Sequence, residues 1–134
     1  MYTLSTNPVE YIIAGNPEAS VSVLEKLARS TNAAVRARVA ENPNITVDTQ
    51  LKLLKDENPE VRLGLSFNPM LPSHFFIRLA ADNNADVRLS LAENPNVSCT
   101  ILQTLEEDEN PYVAERAKKT LAMVCPEEYA LATA

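Results

Sequence analysis

Leucine and valine return at fixed intervals along this chain, separated by polar stretches rich in asparagine and proline. Leu27, Leu53, Leu79 and Leu105 are 26 residues apart, and Val35, Val61, Val87 and Val113 keep the same step. The polar positions share that period. Asn-Pro occurs at Asn16-Pro17, Asn42-Pro43, Asn68-Pro69 and Asn94-Pro95, and a further series runs Asn32, Asn58, Asn84 and Asn110. Five positions held through four ungapped units mark an internal repeat.

Each unit predicts two short helices. The first opens behind Ser20, Thr46, Ser73 or Ser98, whose side-chain oxygens suit the free N–H groups of a first turn, and runs to about Ala28, Leu54, Ala80 or Glu106. The second opens at the Asn series, with Pro59 and Pro111 in the first helical position, where a missing N–H costs nothing. Val35 and Val39, Val61 and Leu65, and Val87 and Leu91 are four apart and share a face. The next Asn-Pro ends that helix, because the residue before proline is pushed out of the α region. At about two turns, the second helix is open to 3₁₀ as well as α geometry. Helices this short do not persist alone, so their stability must come from stacking on their neighbours.

The expected fold class is therefore all-α, a solenoid of about four two-helix repeats in a single repeat domain over 1–134. Residues 1–15 form an N-terminal half-repeat cap, since "VEYIIAGN" at 9–16 aligns with "VRARVAEN" at 35–42. The repeats are 16–41, 42–67, 68–93 and 94–119. Residues 120–134 hold the C-terminal cap and tail, taking in the end of the amphipathic stretch "VAERAKKTLAMV" that Pro126 ends.

Composition narrows the function. Two glycines against nine prolines leave almost no material for hairpins or phosphate-cradling loops. A net charge of -6, with no run of Lys and Arg, argues against general nucleic-acid binding. The start "MYTLSTNPVEYIIAG" lacks a leader pattern, and no stretch approaches the roughly 18 apolar residues of a membrane span. Cys99 and Cys125 have no metal-ligand spacing and carry no sign of an oxidising compartment, so a cytoplasmic protein is expected.

The pattern "NPNxxxxxLxxLxxDxNPxVRxxxAENP", over residues 7 to about 118, resembles the leucine-rich repeat variant family, relatives of HEAT and armadillo arrays. The resemblance implies alternating α and 3₁₀ helices wound into a right-handed superhelix. Some members of that family carry an iron–sulfur cluster in a cysteine-rich N-terminal segment. These 134 residues contain no such segment, and no cofactor or metal is expected.

An acid and a base also recur. Asp56, Asp82 and Asp108 share one phase, and Arg36, Arg62 and Arg88 another. Ser30 and Ala114 replace the aspartate at one end and the arginine at the other. Pairing within units would strand Arg36 and Asp108. Pairing each arginine with the next unit's aspartate gives Arg36–Asp56, Arg62–Asp82 and Arg88–Asp108, a structural ladder. The rival reading, an anion site of aligned arginines, is opposed by the matching acids.

Few residues offer chemistry. His74 is the sole histidine, at a position that is Ser22, Asp48 or Thr100 in other units, and Ser73 beside it reads as a cap rather than a nucleophile. Cys99 matches Val21 and Val47 and is expected to pack as a small hydrophobe; Cys125 is a candidate reactive thiol. The acidic "LEEDEN" at 105–110 lacks the alternation and glycine of a calcium loop. The end, "EEYALATA", looks like the small apolar tails that bacterial proteolytic machines recognise. No catalytic residue is assigned, and the chain is not expected to be an enzyme.

Departures from the repeat are more informative. Two residues after the shared valine stand Ala37, Leu63, Leu89 and Glu115, and just before the next Asn stand Glu41, Phe67, Glu93 and Lys119. Leu63, Phe67 and Leu89, with Met70 and His74 close behind in the chain, form a candidate protein-binding patch. Rotation into the core by 3₁₀ geometry is the competing reading. The function expected is a non-enzymatic protein-binding scaffold, the alternative a nucleic-acid-binding HEAT-like module. The partner would be an unidentified protein, not nucleic acid or membrane, with the chain a monomer or weak homodimer.

Overall fold

Asparagine starts the helices of the second kind. Asn7, Asn32, Asn58, Asn84 and Asn110 each sit in extended backbone and accept, through Oδ1, the N–H two residues on. This satisfies a donor that the first turn leaves open. Pro8, Pro59 and Pro111 follow directly. Ser20, Thr46 and Ser98 cap the helices of the first kind in the same way, accepting the N–H three residues on.

The computed structural model describes residues 7–127, which form α-helices with no strand among them, so the fold is all-α. The tail residues 128–134, and with them most of the segment read as a proteolysis-like signal, lie outside the described residues. Two details differ from expectation. Ser73 is the first residue of its helix rather than the cap; Pro72 holds the position in phase with Ser20, Thr46 and Ser98. Among the described residues, helices of the second kind are α rather than 3₁₀ along their length. Tighter i→i+3 bonds appear at their ends, as in Asn42 N–H to Val39 O and Asn68 N–H to Leu65 O.

Contacts gather into two units, Met1–Pro72 and Ser73–Ala134, where the sequence reads as one repeat domain. In the first unit, α1 (Pro8–Gly15), α3 (Ala33–Ala40) and α5 (Pro59–Leu65) pack in chain order, with α2 (Val21–Leu27) and α4 (Val47–Leu54) against them. Leu24, Val35, Val39, Val61 and Leu65 are fully enclosed. Helices α3 and α5 approach so closely that a Cβ on Gly64 would stand 2.7 Å from the Ala37 carbonyl oxygen, which only glycine avoids.

The asparagine before each proline does more than end a helix. Asn42 Nδ2 donates to the carbonyls of Ala14 and Asn16, both at 2.8 Å. One period on, Asn68 Nδ2 donates to Ala40 at 2.9 Å and Asn42 at 2.8 Å. Each side chain also accepts an N–H two residues on, from Asn44 and Met70 respectively. Both asparagines are buried. Each one ties the C-terminal carbonyls of the preceding second helix to its own loop.

In the second unit, α6 (Ser73–Ala80) packs against α7 (Ala85–Ala92) and α8 (Cys99–Leu105), and α9 (Pro111–Val124) against α7 and α8. Leu102, Leu105, Val113, Ala117 and Leu121 make its core. Thr120, in phase with the asparagines, donates to the Ala92 carbonyl in their place.

Candidate protein-interaction site

The arginines and aspartates form built ion pairs. Arg36 Nε lies 2.8 Å from Asp56 Oδ2 and its Nη2 3.1 Å from Oδ1; Arg88 meets Asp108 at 2.8 and 3.2 Å. These are two-point contacts, the stronger geometry for a guanidinium and a carboxylate. Each arginine also reaches back six residues with Nη1, to the carbonyls of Ser30 and Asp82. Arg62 does likewise to the Asp56 carbonyl at 2.7 Å. Arg62 lies in the first unit and Asp82 in the second. Oδ1 of Asp56, Asp82 and Asp108 each takes the N–H of the following capping asparagine.

Burial alone would raise the Asp56 and Asp108 carboxyls. Hydrogen bonds from Arg36 and Arg88, the amides of Asn58 and Asn110, and the arginine charges outweigh it, and both are held below the ordinary carboxylate value. The arginines are raised, first by those same hydrogen bonds. With Arg88 and Asp108 almost enclosed, these guanidiniums are occupied.

The candidate patch divides between the units. In the first, Leu63 is half-buried, Phe67 is 58% exposed and Met70 64% exposed. Tyr11, Ala37 and Leu63, one period apart, line a groove of 310 Å³ across α1, α3 and α5. Ala34 and Gly64 also line it, and Arg38, Glu41 and Glu60 bring charge to it. Arg38 is engaged, 2.8 Å from Glu41 and 5.5 Å over the Tyr11 ring. Glu60 is exposed and has no ion-pair partner among the described residues.

In the second unit, Leu89 is half-buried beside Tyr112, Glu115 and Arg116 in a 220 Å³ hollow. His74 is exposed, edge-on to Phe75 with ring centres 4.7 Å apart. It borders a larger groove of 610 Å³ between α6 and α8, walled by Ile77, Ile101, Ala80 and Ala81. Its signal was the series Glu25, Leu51, Ile77 and Gln103, in which Leu51 and Ile77 are apolar and both exposed in the fold, Ile77 the more so at 62%.

The cysteines require a correction. Cys99 and Cys125, expected as a packed thiol and a free reactive one, form a disulfide with Cα atoms 6.1 Å apart. They stand 26 residues apart, one sequence period, at the start of α8 and the end of α9, two helices that pack on each other. That spacing was visible in the chain.

No family model matches the chain, and no curated protein or solved structure matches it.

Proposed function

We propose that this chain is a non-enzymatic scaffold, a right-handed stack of four 26-residue repeats of the leucine-rich repeat variant kind, that binds a segment of another protein. The observation that carries the reading is the groove across α1, α3 and α5. Its small residues, Ala34 and Ala37, leave room for a chain to lie against Leu63, and Phe67 is exposed two residues beyond the end of α5. Glu41 is neutralised by Arg38 and Glu60 is not. The groove therefore favours an extended segment that sets an apolar side chain on Leu63 and a lysine or arginine toward Glu60.

A display library of random peptides panned against the full chain tests this. Enriched sequences should join a cationic residue to an apolar one, and Leu63→Asp should abolish the enrichment. Glu60→Lys, at an exposed site, should switch the preference to acidic peptides. Enrichment indifferent to both changes, or none at all, sinks the proposal. The nucleic-acid alternative draws no support from a chain of net charge -6 whose Arg36 and Arg88 are already paired.

A further inference from the structure

We propose that Cys99 and Cys125 form a thiol–disulfide exchange site for a small thiol of the glutathione class, in which Cys99 carries the thiol and Cys125 displaces it. The two sulfurs share one bond but meet solvent unequally. Cys125, the cap that ends α9, is 3% exposed. Cys99, the first residue of α8, is partly open. Its counterparts in the repeat mark this as a surface position: Val21 is 37% exposed, Val47 is 53% exposed, and Ser73 is exposed as well. Ser98 and Thr100, on either side of Cys99, are exposed and uncharged, so neither chain neighbour repels an incoming thiolate.

Access decides which sulfur of a disulfide is attacked. Here the incoming thiolate reaches Cys99 Sγ. A bond forms between the two sulfurs, the Cys99–Cys125 bond breaks, and the electron pair leaves on Cys125 Sγ, which takes a proton from water. A second small thiolate then attacks the small thiol's sulfur in that mixed disulfide, and Cys99 leaves as the thiolate. Two small thiols are oxidised to one disulfide, and the protein bond is reduced to two thiols. The reverse direction uses the same intermediate. The Cys99 thiolate attacks the small disulfide and expels one thiolate, and the Cys125 thiolate then displaces the other from Cys99.

The fold keeps the second cysteine in place for that return. Helices α8 and α9 pack on each other through enclosed apolar side chains, among them Leu102, Leu105, Val113 and Leu121. None of these depends on the sulfurs, so Cys125 stays beside Cys99 while the bond is open. A bond sheltered at both ends would staple the two helices equally well and offer no sulfur to a partner. This one is open at one end.

Reduced and oxidised glutathione, applied to the full folded chain and quenched with acid, provide the test. Wild type stopped part-way through reduction should hold glutathione on Cys99 and a free thiol at Cys125, located by peptide mass. Cys125→Ala should take glutathione from its disulfide at Cys99 at least about tenfold faster than Cys99→Ala takes it at Cys125, and the difference should vanish in urea. Glutathione found on Cys125 of wild type overturns the proposal, as does the absence of any mixed disulfide. So do equal rates in the two variants while both keep the wild-type helical spectrum. The wild-type measurement needs neither variant to fold, and a wild type that opens only when its helical spectrum is lost also overturns the proposal.

Discussion

Asn68 holds two carbonyls of the preceding loop with one amide and an N–H of its own loop with its oxygen, and it is only 3% exposed. Asn68→Ala would leave the carbonyls of Ala40 and Asn42 enclosed without their donor. At about 1–3 kcal/mol per stranded group, the expected loss is about 2–4 kcal/mol in urea denaturation, and a change within error would mean water replaces the amide. Asp108 argues a pH effect at the same scale. Its carboxyl titrates below the ordinary value of about 3.9, so its contribution is full above that value and is lost as pH falls through the lower, folded one. Asp56 acts in the same direction. Asp108→Asn should therefore destabilise at neutral pH by about 3 kcal/mol, because Arg88 loses its charged partner, and the deficit should shrink as the wild type is acidified below about pH 4. A deficit that is flat across that range contradicts the pairing.

Helices α8 and α9 are joined covalently as well as by packing. The Cys99–Cys125 bond ties the first residue of α8 to the cap that ends α9, and Cys125 is enclosed. Closing a loop of this length restricts the unfolded chain by about 3 kcal/mol. Cys99→Ser should lower the melting temperature to that of the wild type under reductant, and reductant should leave the variant unmoved. If reductant shifts both equally, the bond is not the cause. Elsewhere the elements rest on local signals, a capping side chain at the start and a proline at the end, so their limits were legible before any contact was known. Ser73 is the instructive exception. Serine suits a cap, but the repeat phase puts Pro72 in that place, and phase outweighed residue type.

Across the molecule, stability comes from short helices held by their neighbours, which fits a chain whose helices are mostly seven or eight residues long. Charge is arranged on the same plan. Arg36 and Arg88 face Asp56 and Asp108, twenty residues on, so these two cations are engaged in a chain whose net charge is -6. No helix among the described residues is long and apolar enough to cross a membrane. The cytoplasmic location expected from the sequence has a consequence for the Cys99–Cys125 bond. Cytosolic reductants keep such pairs open, so chains alkylated at the moment of lysis should carry label on both cysteines. Unlabelled chains would place the protein in an oxidising space.

The chain by itself determined the period, the helical class and nearly every helix boundary, because caps, prolines and spacing four apart act within a few residues. The phases of the arginines and aspartates were equally plain, since they repeat with the leucines. Only the tertiary structure decided what each repeated side chain touches. That the Asn68 amide clamps the helix before it, that Cys99 meets Cys125, and that Leu63 and Tyr11 come to line one groove all depend on which atoms far apart in the chain come within a few ångströms, and no local preference encodes that.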